Sequence, residues 1–268
     1  MITEQQLVIR SNELEELLGD PSLKTVDARS QYEYERGHLK GAISLPVWLV
    51  TETGPRKIFE KLSALGINRS GRIVIYGDNS GRDAARVAWN FLYLGYRAIS
   101  LLEVEPTHSW PALTISDLVE EKQETLSQND TFTPNMEIAA SQNLVREFAE
   151  ESKPSAPVLV DARERVDFLE GHLLRAQNIP WNIVPKISSL RDLTQFSRIV
   201  DRRNIQRDEE IIIYDDSRGL FAALFFFAFQ MIGFESVKLC SQSFRELKEA
   251  LLPIESVEDA NYRYLLAK

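Results

Sequence analysis

Two short stretches carry the residue types from which a reactive turn could be made. Residues 77–83 read GDNSGRD and residues 215–221 read DDSRGLF. Each follows a continuously apolar run, Ile73-Val74-Ile75-Tyr76 or Ile211-Ile212-Ile213-Tyr214, and each precedes an alanine pair, Ala84-Ala85 or Ala222-Ala223. A buried strand entering a helix through such a loop points successive peptide N–H groups at one spot, reinforced by the helix dipole. The candidate anion-binding residues are therefore Gly77, Asp78, Asn79, Ser80, Gly81 and Arg82 in the first loop. In the second they are Asp215, Asp216, Ser217, Arg218 and Gly219. A cysteine there would be a thiolate at neutral pH. Neither loop has one.

The carboxylates of Asp215 and Asp216 are expected to cap the following helix or to fill the nest themselves. Arg82 and Arg218 either face a bound anion or form ion pairs, and the sequence leaves both open. The only cysteine, Cys240, follows an apolar strand expected over 237–239 and reads as a partly buried small hydrophobe. One cysteine excludes an intrachain disulfide and a multi-cysteine metal site. His38, His108 and His172 show no metal-ligand spacing, and neither a metal nor a cofactor is expected.

The elements that hold these loops repeat. Asp27-Ala28-Arg29 returns 134 residues later as Asp161-Ala162-Arg163, and Gly37-His38-Leu39 as Gly171-His172-Leu173. Pro46-Val47-Trp48 is echoed by Pro180-Trp181. From the apolar run onward the offset becomes 138 and holds through Gly81/Gly219, Ala84-Ala85/Ala222-Ala223 and Gly95/Gly233. A repeat of this length means two copies of one unit. In the first copy, spacing predicts a helix over 12–18 capped at Ser11 or Asn12, and strands over 23–27 and 43–45. A helix over 58–65 stops at Gly66, a strand spans 73–76, a helix runs from the loop to near Gly95, and a strand covers 99–102. The second copy repeats this order over 141–239. Alternating strands and helices imply an α/β fold in which each copy is a mainly parallel sheet flanked by helices. The expected division is a first domain over 1–110, a polar, proline-flanked linker over 111–134, and a second domain over 135–268, with a possible helix after Pro253.

Asp27-Ala28-Arg29 through GHLKGAISLP, and Asp161-Ala162-Arg163 through GHLLRAQNIP, resemble the upstream motif of the rhodanese family. With the loop regions, the resemblance covers nearly the whole chain, which looks like a tandem two-domain sulfurtransferase of the thiosulfate or 3-mercaptopyruvate type. It implies a persulfide-forming cysteine at the first loop residue of the second domain. Here that position is Asp215, and Gly77 in the first domain. It also implies an arginine four residues past that of Asp-x-Arg, where this chain has Asp167 and Glu33. His38 and His172 are expected to order the loop after the first strand, and the Asp/Arg pairs to be internal. A carboxylate cannot hold sulfane sulfur, so the expectation is a catalytically silent member that binds a small anionic sulfur compound or a protein partner at the interdomain cleft. The alternative is sulfur transfer by another route, through Cys240 or a partner's persulfide. A fold-related phosphatase would also need a loop cysteine.

Composition narrows the setting. A net charge of −9 disfavours nucleic acid and anionic membranes. The most apolar run, 220–234, is too short to span a bilayer and contains Gln230. The first residues, MITEQQLVIR, lack the basic stretch and apolar core of a signal peptide. A soluble cytoplasmic protein is expected.

Overall fold

The computed structural model describes residues 7–18, 20, 22–104, 131–150 and 157–256. His108 and most of the expected linker, 111–130, lie outside these, as does the chain after residue 256. The molecule divides into two compact units. The first runs to Asn135 and includes Lys186–Arg191; the second comprises Met136–Pro185 and the residues from Asp192 onward.

In the first unit, β1 (Val8–Ile9), β2 (Leu23–Asp27), β3 (Ile43–Ser44), β4 (Arg72–Tyr76) and β5 (Ile99–Leu102) form one parallel sheet in the order β1-β5-β4-β2-β3. Its helices are α1 (Ser11–Leu17), α2 (Gln31–Arg36), α3 (Val47–Glu52), α4 (Pro55–Ala64) and α5 (Arg82–Tyr93). The second unit holds β6 (Ala139–Ala140), α6 (Gln142–Glu150), β7 (Val158–Asp161), α7 (Arg165–Glu170), β8 (His172–Leu173), β9 (Gln177–Asn178), α8 (Thr194–Arg202), β10 (Ile211–Asp215), α9 (Ala222–Met231), β11 (Val237–Ser243), α10 (Phe244–Glu249) and β12 (Ile254–Glu255). Its five-stranded sheet is also parallel, in the order β6-β11-β10-β7-β9. Strand for strand this is the first sheet again, down to the register: Asp27 lies opposite Tyr76, and Asp161 opposite Tyr214.

The cores of the central strands are apolar because helices cover both faces. Residues 73–76 and 211–214 are all fully buried. Helix α9 is apolar on every side, and Leu224, Phe225, Phe226, Phe227 and Phe229 are all buried in it. An all-round apolar helix belongs in the interior. Among the described residues, no helix is long and apolar enough to cross a membrane. Gly81, which caps α5, and Gly219, in the turn before α9, both have left-handed geometry, at φ +68° and +85°.

The sequence reading needs four corrections. Helix α1 starts at Ser11 with Arg10 outside it, and the Glu13 carboxylate accepts the Arg10 N–H at 2.8 Å, so neither Ser11 nor Asn12 is the cap. The strand expected over 237–239 continues to Ser243, which puts Cys240 mid-strand opposite Ala140. Ile254–Glu255, just after Pro253, form β12, antiparallel to β8, and the part of the expected helix after residue 256 lies outside the described residues. The fourth is the placement of Lys186–Arg191 with the first unit. The edge strands β1, β6, β8, β9 and β12 have two residues each, too few to show a period.

Each Asp-x-Arg motif closes a buried ring. Asp161 accepts from the Arg163 backbone N–H at 2.9 Å, from its Nε at 3.0 Å and from Nη2 at 2.7 Å; Nη2 also donates to the Gly171 carbonyl. The first copy repeats these bonds through Asp27, Arg29 and Gly37. Tyr214 Oη donates to Asp161 at 2.7 Å and accepts the Leu173 N–H at 3.1 Å, tying the central strand to the segment after the motif. His172 donates Nδ1 to the Phe168 carbonyl and stacks on the Phe168 ring with centroids 3.7 Å apart; His38 does the same with Tyr34. These histidines are structural staples. Replacing Tyr214 by Phe leaves the buried Leu173 N–H without its acceptor, so urea unfolding should show a loss of about 1–3 kcal/mol.

Candidate functional site

The two strand-to-helix turns are built alike and filled differently. In the second unit, Asp215 ends β10 fully buried, and its carboxylate takes four backbone donors. Oδ1 accepts from Ser217 at 2.7 Å and Gly219 at 2.8 Å; Oδ2 accepts from Phe221 and Ala222, both at 2.9 Å. Burial pushes the Asp215 carboxyl up, while the four N–H bonds pull it back. With two N–H donors on each oxygen, no acceptor remains for an acid proton, so the bonding pattern is that of a carboxylate. The anion nest is complete, and its anion is part of the chain.

Asp216 takes no part in the nest. It is half exposed, and its carboxylate lies 3.8 Å from Arg163 Nη1. Burial, together with the nearby Asp161, Asp167 and Asp215, pushes it up. Arg218 faces a carboxylate of the chain: Nη2 donates to Glu246 Oε1 at 2.7 Å and Nε to Oε2 at 3.2 Å. Arg218 beside it holds the Glu246 carboxyl below the usual range. Glu246 is also the reciprocal partner in the capping box of Ser243, which starts α10. Arg218 has left-handed backbone geometry at φ +53°, a conformation uncommon outside glycine. Trp181 stacks on Phe221 beside this turn, with ring centroids 5.1 Å apart.

In the first unit the matching position, Gly77, has no side chain. A Cβ there would lie 3.2 Å from the Ala84 nitrogen and 3.4 Å from the Ala84 Cβ, so a larger residue must displace the start of α5. The loop bonds itself through Asp78, whose Oδ1 accepts from the Ser80 hydroxyl at 2.7 Å, the Gly81 N–H at 2.9 Å and the Ser80 N–H at 3.1 Å. The Ser80 hydroxyl oxygen in turn accepts from the Arg82 backbone and from Arg82 Nε at 3.1 Å. Asn79 is exposed at the tip. Glu33 is occupied as the capping-box partner of Ser30 at the start of α2. Asp167 occupies the corresponding first-turn position of α7.

Cys240 is on the strand next to β10, near enough to Asp215 and Glu246 for their charges to disfavour its thiolate. It is fully buried in β11, its Sγ is 3.7 Å from the Gln242 carbonyl, and burial pushes its thiol up to about 12. A nucleophile needs the thiolate, which this environment withholds at neutral pH. Among the described residues there is no group of three or more His, Cys, Asp or Glu placed to hold a metal ion.

Residue-by-residue reading missed Glu246, Phe221, Trp181 and Asp83. The Ser243-x-x-Glu246 spacing is a visible capping-box signal. The others depend on which segments meet. Asp83, in the first turn of α5, is pushed up to about 6, chiefly by burial and then by Asp78 and Glu33. A carboxyl raised on folding costs stability as it ionises, so its cost grows as pH rises from about 4 to about 6. Asp83→Asn removes that cost. Its melting temperature relative to wild type should therefore climb across this window and level off above it, in paired thermal melts.

A family model described as "Rhodanese-like domain" matches residues 11–104 and again 144–250. Of relatives, the Escherichia coli K12 3-mercaptopyruvate sulfurtransferase is 23% identical over 274 residues, spanning 91% of this chain and 96% of that protein. The Thermus thermophilus sulfur carrier protein TtuD is 22% identical over 242 residues, 78% of this chain and 82% of its own. Among solved structures, SseA from Escherichia coli superposes with a TM-score of 0.68 at 20% identity, covering 89% of this chain and 99% of that one. The yeast mitochondrial complex I sub-stoichiometric sulfur transferase subunit gives 0.69 at 16% identity, covering 90% and 95%. Together with the duplicated parallel sheets, these matches establish that the chain belongs to the rhodanese-like family, with two such domains in tandem.

Proposed function

We propose that this protein is a rhodanese-family member that does not carry sulfane sulfur itself and works in the cytoplasm by binding a partner. The observation that carries this reading is the Asp215 carboxylate, which occupies four N–H groups at the position where the family resemblance puts the persulfide-forming cysteine. An external anion would have to compete with a group already in place at effectively saturating local concentration. Of the two partner classes compatible with the sequence, a small anionic sulfur compound and a protein, the filled nest favours the protein. The second reading is sulfur transfer by another route. The relatives' names, 3-mercaptopyruvate sulfurtransferase and sulfur carrier protein, speak for it. The burial of Cys240 and its thiol near 12 speak against that residue as the carrier.

The test is cyanide-dependent thiocyanate release from thiosulfate and from 3-mercaptopyruvate. Wild type and Cys240→Ser should both match a heat-denatured blank. Wild-type turnover above the blank would overturn the silent reading: its loss in Cys240→Ser would assign the sulfur to Cys240, and its persistence would point to another route. Asp215→Cys should restore chemistry, because the four vacated N–H groups then stabilise a thiolate. That thiolate attacks the outer sulfur of thiosulfate, forming a persulfide and releasing sulfite, and cyanide removes the sulfur as thiocyanate. Release at least roughly tenfold above the blank, a barrier difference of about 1.4 kcal/mol, is expected. The equivalent Gly77→Cys should give less, because its Cβ crowds Ala84.

A further inference from the structure

Lys186–Arg191 lies between the short turn Trp181–Ile183 and α8 in the sequence of the second repeat, yet it packs within the first unit. Its core is a single 3-10 stretch, Ile187–Arg191. At one end the Ile187 N–H donates to the Ser80 carbonyl at 3.1 Å. The Ile187 side chain is buried directly over Gly81. A Cβ on Gly81 would fall 2.2 Å from Ile187 Cδ1 and 2.3 Å from Cγ1, and Gly81 already has a left-handed φ of +68°. Glycine is thus required there twice, once by the backbone and once by the isoleucine. At the other end Arg191 Nε donates to Glu103 Oε2 at 2.8 Å and Nη2 to the Val8 carbonyl at 3.2 Å, with the Glu13 carboxylate 3.7 Å away. Leu190 is buried between the two anchors.

We propose that Lys186–Arg191 is an intramolecular clamp that holds the first repeat's turn shut. Ile187 fills the notch above Gly81, where a ligand approaching the N-terminus of α5 from that side would have to pass, and Arg191 locks the segment to β1 and the end of β5. The turn is closed by the chain itself and opens only when the clamp lifts. The hydrogen bond uses the Ser80 carbonyl, and the notch exists only while residue 81 is glycine. The second repeat fastens its turn differently, through Arg218 and Glu246.

Hydrogen–deuterium exchange on the full chain tests this without reference to sulfur chemistry, so its outcome is independent of whether the second repeat is silent. In wild type the Ile187 amide should exchange at least roughly a hundredfold more slowly than an unstructured amide. In Ile187→Gly, amides 81–85 should exchange at least roughly tenfold faster while those of β10 keep their rate. Arg191→Gln should shift the same amides in the same direction by less. An unprotected Ile187 amide in wild type would overturn the proposal, as would unchanged exchange at 81–85 in a folded Ile187→Gly protein. If Ile187→Gly loosens β10 as well, the coupling between Gly81→Ala and Ile187→Ala, which removes both clashing carbons, decides. Gly81→Ala should be at least roughly threefold less damaging to the unfolding equilibrium in the Ile187→Ala background, and strict additivity would sink the clamp.

Discussion

A strand that runs into a helix inside a covered parallel sheet brings several peptide N–H groups to one point, and buried N–H groups must be bonded. That requirement governs both turns. The second repeat meets it with one side chain, Asp215, whose two oxygens receive Ser217, Gly219, Phe221 and Ala222. Asp215 is the last residue of β10 and pairs with Ser243 of β11, so the sheet positions its backbone beside the nest. The first repeat has no side chain at the matching Gly77 and assembles its bonds from Asp78 and Ser80 within the loop. Filling the nest serves folding, because the four N–H groups taken by Asp215 would otherwise be buried without acceptors.

The scaffold behind the turns has changed far less than the turns. The Asp-x-Arg rings in the two repeats match bond for bond, and so do the stacked histidines. Removing one partner of such a buried pair leaves an uncompensated charge, commonly at a cost of about 3–5 kcal/mol, so the ring tolerates little drift. Turn residues meet a different condition, that their buried N–H groups find acceptors, and more than one arrangement meets it. Two solutions have therefore arisen on one frame, and neither contains a cysteine. What fastens each turn differs as well, an ion pair between Arg218 and Glu246 in one and the packing of Ile187 on Gly81 in the other.

Belonging to the rhodanese-like family describes the frame, while activity depends on what the frame holds. Cys240 illustrates the difference. Although it is the chain's single thiol, it sits mid-strand in β11, where burial keeps the proton on sulfur.

The sequence alone determined the duplication, the parallel α/β sheets and the positions of both turns, because periodicity, glycine placement and repeated motifs are local signals. The loops' lack of cysteine and the presence of Asp215 after Tyr214 are equally legible there. Only the tertiary structure decided where the carboxylates go: Asp215 into the nest, Asp216 out toward Arg163, Glu246 onto Arg218. It alone extended β11 past Cys240 and turned residues 254–255 into a strand, since both depend on a neighbouring strand offering its edge. The packing of Ile187 over Gly81 is the clearest case. It joins residues far apart in the chain by shape and one backbone hydrogen bond, and no composition, spacing or motif encodes which distant side chain will fill a notch.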